Sequence, residues 1–508
     1  MHPAAIAALA PDRAAIIMGS TGAITTFRQL DERSNQLARV IRAAGVQRGG
    51  SLAIFAENHP RFLEVTWAAQ RSGIYYTAIN SHLTAAEAGY IIDDCDASIV
   101  VSTEALADVA VAACSITTAP QVKVRLLLGG SHAGWENYEA TVDPMPTTPL
   151  ADESEGDFML YSSGTTGRPK GIRRQLVESP MGQPVRTGVP LLQALELQAG
   201  DIYLTPAPLY HAAPMAWSMS AQRLGATVVV METFDAERCL ALIDRNRVTH
   251  AQFVPTMFVR MLKLPPEVRA RYDISSLQSV VHAAAPCPVD VKRSMIDWWG
   301  PIINEYYSST EGAGITWITS TEWLERPGSV GRAISGTPFI LDDDRNEVAT
   351  GQIGTVWFSG GQDFHYHKDP EKTSDAHDDT GLATVGDVGY LDHEGFLFLT
   401  DRKAFMIISG GVNIYPQEAE NVLINHPKVF DVGVIGVPHA EMGESVKAVV
   451  QPVSWTDVGP DLEAELLAYC REHLAAFKCP RSIDFDAALP RLDTGKLYKK
   501  ALRARYWP

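Results

Sequence analysis

The chain has 508 residues, too long for one compact core when a domain takes about 100–200 residues. Hydrophobic residues make up 46% and charged residues 20%, and 39 Gly with 31 Pro fall well short of low complexity, so collagen-like, fibrous and wholly disordered chains are excluded. The formal net charge of −17 excludes non-specific nucleic-acid binding, which needs a positive footprint for phosphate.

Six cysteines stand at 95, 114, 239, 287, 470 and 479, with no Cys-x-x-Cys pair. That spacing predicts no short disulfide framework and suits a reducing cytoplasm. The segment Met1 to Met18 lacks a basic region followed by a long apolar stretch, and no run of 18 apolar residues occurs. No signal peptide and no integral membrane segment are expected. Tyr506-Trp507-Pro508 is not a peroxisomal address. The expected location is cytoplasmic.

In chain order, Leu52 to Phe55, the amphipathic stretch Pro60 to Arg71, Ile74 to Ile79, Ile99 to Val101 and Val122 to Leu128 alternate strand and helix patterns. This is the rhythm of an α/β chain with parallel sheets. Residues 143–157 are rich in Pro, Thr, Asp and Glu and read as a loop, and a second α/β block follows to about 330. From about 331 to 400 short strands with Gly turns predict a β-rich subdomain. In it, Tyr390-Leu391 and Phe396 to Leu399 flank the turn Asp392 to Gly395 as a hairpin. The last hundred residues read as a separable βαβ-type module: a helix at Pro416 to Asn425, strands at Val432 to Val437 and Val446 to Val453, and a helix over Asp461 to Phe477. The predicted fold class is α/β. It comprises a large N-terminal domain of α/β subdomains plus a β-rich subdomain over 1–400, and a small mobile α+β C-terminal domain over 401–508.

The most informative stretch runs from Phe158 through Tyr161, Ser162, Ser163, Gly164, Thr165, Thr166, Gly167, Arg168, Pro169, Lys170 and Gly171. A short apolar strand enters a loop of small and hydroxyl residues closed by a lysine. Small residues let backbone N–H groups approach an anion, and such nests bind phosphate. The spacing is not that of a Walker loop. A flexible surface loop is the bland alternative.

These residues resemble the signature loop of the adenylate-forming superfamily, within it the acyl-CoA synthetases. The resemblance continues in order over nearly the whole chain: Tyr307 to Gly312, then Gly386-Asp387 with Gly389-Tyr390, then Asp401-Arg402-Lys403 through Ser409-Gly410-Gly411 to Pro416, then Pro490-Arg491 with Thr494-Gly495-Lys496.

The resemblance implies an AMP-forming acid–thiol ligase. A carboxylate has too basic a leaving group to acylate a thiol, and attack on ATP replaces it with AMP. By resemblance, Ser162, Ser163, Gly164, Thr165, Thr166, Gly167, Lys170, Ala284, Ala285, Tyr307, Thr310, Asp387, Arg402 and Lys496 bind the nucleotide. Lys496, Thr166, Glu311 and His211 act at the reacting centre. Glu311 supplies a hard oxygen for Mg²⁺, Tyr307 a flat face for adenine, and Asp387 with Arg402 the ribose contacts. Tyr210, His211, Met215, Trp217 and His282 are expected to line the acyl pocket. Ser409, Gly410 and Gly411 are expected to form the thiol tunnel, and Ala404 the hinge. Departures from the family pattern are Ala404 in place of Asp or Lys, Phe405, Val385, Leu382, His282 and the alanines at 284 and 285 where glycines are usual.

The expected co-substrates and cofactors are ATP, Mg²⁺ and CoA. The acid is expected to be hydrophobic: medium to long chain, aryl or alicyclic. A ligase loading a carrier protein and a non-catalytic nucleotide- or acyl-binding sensor are the alternatives. No nucleic-acid partner is expected, and a homodimer is compatible with this reading.

Overall fold

The computed structural model describes residues 2–116, 122–162, 169–183, 189–402, 405–410, 412–491 and 496–507. Four sheets organise them. In the first, Ser51–Phe55, Tyr75–Ile79, Ala97–Thr103 and Val124–Leu128 pair in parallel. Every residue of Ser51–Phe55 and Tyr75–Ile79 is buried, because helices such as Phe27–Ala43 and Ala85–Asp94 cover the faces of a parallel sheet. Thr26 opens the first of those helices with a reciprocal capping box to Gln29.

The second sheet is the backbone of the molecule. Ala14–Met18, Thr227–Val230, Ile202–Thr205, His250–Phe253, Ser279–His282 and Ile303–Tyr307 lie side by side in parallel. Beyond Ile303–Tyr307 the pairing turns antiparallel through Ile315–Ile318, Ser329–Ser335, Leu397–Arg402, Ala383–Leu391, Gly354–Ser359 and Thr337–Leu341. The β-rich block thus forms the antiparallel end of the same sheet. The hairpin expected at 390–399 is present, with Leu391 opposite Leu397.

A third, three-stranded sheet pairs Leu160–Ser162 with Lys170–Arg173 and the latter with His365–Tyr366. The fourth sheet carries the C-terminal residues. Val429–His439 and Gly443–Pro452 form a long antiparallel pair, and Ser482–Phe485 returns parallel to Gly443–Pro452 after the helix Pro460–His473. That crossover is a βαβ unit whose closing strand, Ser482–Phe485, was not among the elements expected from the sequence. A separate apolar cluster of Ile414, Leu423, Val434, Val450 and Leu466 fills it. No helix among the described residues is long and apolar enough to cross a membrane.

Candidate active site

A cavity of about 560 Å³ opens where the central parallel strands end. Ala207, Val254, Ala283 and Thr310 reach its wall, each just beyond the carboxyl end of a different strand. That is where open α/β sheets place their ligands. The helix Ala212–Leu224 forms a second wall, presenting Ala212, Ala216, Ser220 and Arg223. At 1.5 Å per residue this face runs roughly 16 Å along the cavity. Gly225 ends the helix at φ 86°, a left-handed conformation that glycine adopts without a Cβ clash. Lys496, Leu497, Tyr498, Lys499 and Lys500 close the cavity from the C-terminal side, together with Phe405.

Glu311 is 8% exposed and accepts a hydrogen bond from the Tyr366 hydroxyl at 2.9 Å. Its residue lies in the cavity wall beside Thr310. Among the described residues no group of three or more His, Cys, Asp or Glu could hold a metal ion alone. One carboxylate plus substrate phosphates is the usual protein share of a Mg²⁺ site, so Glu311 fits that ion.

Lys496 and Glu311, 185 positions apart in sequence, share this one cavity. His211 caps the amino end of the helix Ala212–Leu224, its ring 4.6 Å from that of Tyr210, and both line the cavity. Trp217 also lines it, donating its indole N–H to the Tyr306 hydroxyl at 3.3 Å.

Ala284 lies in the wall with φ 75°, a left-handed backbone held by a residue with a Cβ. Ala285 is absent from the wall. Tyr307 and Asp387 are joined, the phenol donating to Asp387 Oδ2 at 2.6 Å. Asp387 pairs across the strands with Arg402. Tyr307 and Asp387 lie outside the residues found in the wall, whereas neighbouring Val385 and Ser308 lie in it.

Three further expected site residues are absent from the cavity wall. Met215 is fully buried in the large apolar cluster and is absent from the cavity wall, although Ala212 and Met219, three positions before it and four after it, line that wall. His282 is also fully buried. Strand alternation turns it to the opposite side from Ala283, against the Phe258 ring at 5.4 Å and within 3.4 Å of Glu305. Burial, then the nearby Lys292 charge, holds its pKa well below the ordinary value, so it is neutral. Lys170 sits at the start of its strand, next to Pro169 of the wall, and is held by the Asp369 carboxylate.

Ser409 and Gly410 lie at the end of strand Ile407–Ser409 in the C-terminal sheet. Gly410 has φ 58°, and a Cβ there would meet Met442 at 2.5 Å. Ser163, Gly164, Thr165, Thr166, Gly167, Ala404 and Gly411 lie outside the described residues, and Ser162 is described only as the last residue of its strand.

Spacing in the sequence did not point to Arg174, Asp157, Gln70, Tyr76, Arg223 or Gln252, all of which line the cavity. Their only sequence signal is polarity within otherwise apolar segments.

Residues 4–365 match the family model described as AMP-binding enzyme, and residues 418–496 match its C-terminal domain. The chain is 32% identical over 507 residues to a feruloyl-CoA synthase of an Amycolatopsis species, covering 99% of this chain and 98% of that protein. It is 30% identical over 509 residues to the long-chain-fatty-acid–CoA ligase FadD13 of Mycobacterium tuberculosis, covering 98% and 97%. Among solved structures, ATP-bound MatB from Rhodopseudomonas palustris superposes with a TM-score of 0.82 at 26% identity, covering 100% and 99%. The chain belongs to the AMP-binding, adenylate-forming enzyme family. Within it, the chain is an acid–thiol ligase of the AMP-forming kind.

Proposed function

We propose that this enzyme condenses a hydrophobic carboxylic acid with ATP and then transfers the acyl group to CoA. The carrying observation is the cavity itself. It joins Thr310, Glu311 and Lys496 to a wall of Ala212, Ala213, Ala216, Trp217 and Met219. Apolar surface of that kind gains about 25 cal/mol per Å² when an acyl group covers it.

In the first step a carboxylate oxygen bonds to the α-phosphorus of ATP and the bond to pyrophosphate breaks. The acid is already ionised at neutral pH, so no general base is required. Mg²⁺, bound through Glu311 and the phosphates, would neutralise phosphate charge. The Lys496 ammonium holds the negative charge that grows at the α-phosphate and carboxylate. Tyr366 fixes the Glu311 carboxylate through its 2.9 Å hydrogen bond.

In the second step the thiol sulfur bonds to the acyl carbon, the bond to AMP breaks and the thiol proton leaves. We assign the two domains to 1–400 and 401–508, with the hinge at Ala404. Rotation there would withdraw Lys496 and bring Ser409, Gly410 and Gly411 to the acyl-adenylate.

Pyrophosphate release and CoA consumption by purified protein, measured with ATP, Mg²⁺ and a panel of acids, test the proposal. Octanoate, dodecanoate and cinnamate are expected to support both. Activity confined to acetate or amino acids would overturn the hydrophobic-acid assignment. Pyrophosphate release without any CoA consumption would remove CoA as acceptor.

A further inference from the structure

Arg174 follows the strand Lys170–Arg173 and is 8% exposed, yet it lines the cavity. Its Nη2 donates to the main-chain oxygen of Thr310 at 2.7 Å. Its guanidinium carbon lies 4.8 Å from the centre of the Phe158 ring. Nη1 stands 3.9 Å from Asp157 Oδ1, outside hydrogen-bond distance. Nε and Nη1 are buried and have no hydrogen-bond partner among the described residues. A guanidinium is always charged and offers five donors, and a buried donor without an acceptor costs about 1–3 kcal/mol. Three fixed contacts hold this side chain against the wall while two of its edges stay unsatisfied.

A second side chain in the wall also keeps an unmatched polar atom, an acceptor that a hydroxyl, but not a ketone, can satisfy. Gln252, on the central strand His250–Phe253, is 1% exposed and lines the cavity. Its Nε2 donates to the Phe253 main-chain oxygen at 3.1 Å, but its Oε1 has no partner among the described residues. An apolar chamber built only for hydrocarbon has no use for either group. Nearby polarity is already matched: Tyr76 donates to Gln70 Oε1 at 2.9 Å, and Arg223 grips the buried Glu155 carboxylate at 2.9 and 2.7 Å. Among the described residues of the same wall, Arg174 and Gln252 keep unmatched polar atoms.

Resting on the hydrophobic-acid reading, we infer that the acid carries an uncharged oxygen substituent, a hydroxyl or ketone, that accepts hydrogen bonds from Arg174. The oxygen is uncharged because the Asp157 carboxylate, 3.9 Å from Nη1, already stands against the Arg174 charge. A site built to hydrogen-bond an oxygen discriminates strongly against the analogue that lacks it, since its polar groups are then left unpaired. Arg174 is thereby a specificity-determining residue beside Thr310 in the cavity wall.

The experiment compares kcat/KM within matched acids: cinnamate against 3- and 4-hydroxycinnamate, and dodecanoate against 12-hydroxydodecanoate, 12-oxododecanoate and dodecanedioate. The wild type is expected to prefer at least one hydroxyl or oxo member over its parent by about tenfold or more. In Arg174→Met that ratio falls toward one, and in Arg174→Lys, which keeps the charge but loses the planar fork, it falls part of the way. Reading a ratio within each variant cancels any general loss from the broken Thr310 contact. Equal use of parent and substituted acids by the wild type, or a preference that survives in Arg174→Met, overturns the inference while leaving the hydrophobic-acid reading intact. A preference for dodecanedioate over all others overturns the uncharged-oxygen assignment. Turnover of neither parent nor derivative overturns the hydrophobic-acid reading and this inference with it.

Discussion

Lys263 Nζ donates to the main-chain oxygen of Phe430 at 2.7 Å, and to that of Val429 at 3.0 Å. Lys263 caps the helix Pro255–Leu262 beside the central sheet, and Phe430 lies in the first strand of the long C-terminal pair. Asn425 Nδ2 makes a second crossing to Asp290 Oδ2 at 3.0 Å. Both contacts tie the C-terminal sheet to the rest of the molecule while Lys496 lines the cavity. Lys263→Met is therefore expected to slow adenylation by about threefold to tenfold, the effect of one or two net hydrogen bonds. Thioester formation from supplied acyl-AMP should keep its rate. Equal loss in both half-reactions would show that Lys263 supports folding alone and does not hold this arrangement.

Lys496→Ala removes the charge that the C-terminal segment brings to the cavity. Loss of one positioned donor for developing negative charge costs on the order of 10²–10³ in rate. Pyrophosphate release should fall by that factor, with CoA consumption from supplied acyl-AMP retained within a few fold. If both steps decline together, the rotation assigned to the C-terminal domain is wrong.

Ala284 holds φ 75° in the cavity wall. A left-handed L-residue costs roughly 1–2 kcal/mol, and glycine returns about half of that as extra chain entropy in the unfolded state. Ala284→Gly is expected to raise the melting temperature by about 0.5–1 °C, and Ala284→Val to lower it. A thermal melt in which the glycine variant is the less stable would contradict the strain.

His282 supplies a pH dependence. Burial and the Lys292 charge depress its pKa in the folded protein, so the unfolded chain binds this proton more tightly. Its contribution to stability is complete above about pH 6.5 and is lost as pH falls below that, at up to about 1.4 kcal/mol per unit. Glu305, in the same buried group, works in the opposite direction, because burial raises its pKa. A comparison at fixed Glu305 isolates the histidine. The melting temperature of the wild type should drop further between pH 7.5 and 5.5 than that of His282→Gln. Parallel drops would rule out His282 as the acid-sensitive group.

The contiguous motifs were readable in the sequence because each is a local device. Thr310 and Glu311 follow one strand, Lys496 stands in one loop, and His211 precedes one helix. Their chemistry survives being read residue by residue. Met215 and His282 were expected in the wall and lie outside it, since an apolar or aromatic stretch does not say which of its residues meet a cavity. The 3.6-residue turn of the helix and the two-residue alternation of the strand decide that, and only packing sets their phase.

What the sequence by itself determined is the α/β architecture, the order of its elements, the family and the kind of reaction, since hydrophobic period and short motifs are properties of neighbours along the chain. What only the tertiary structure decided is which distant polar groups share a wall: Arg174 with Gln252, Lys496 with Glu311, Lys263 with Phe430. Those pairs are separated by 78, 185 and 167 positions, and nothing short of the folded core brings them within reach of one ligand or one another.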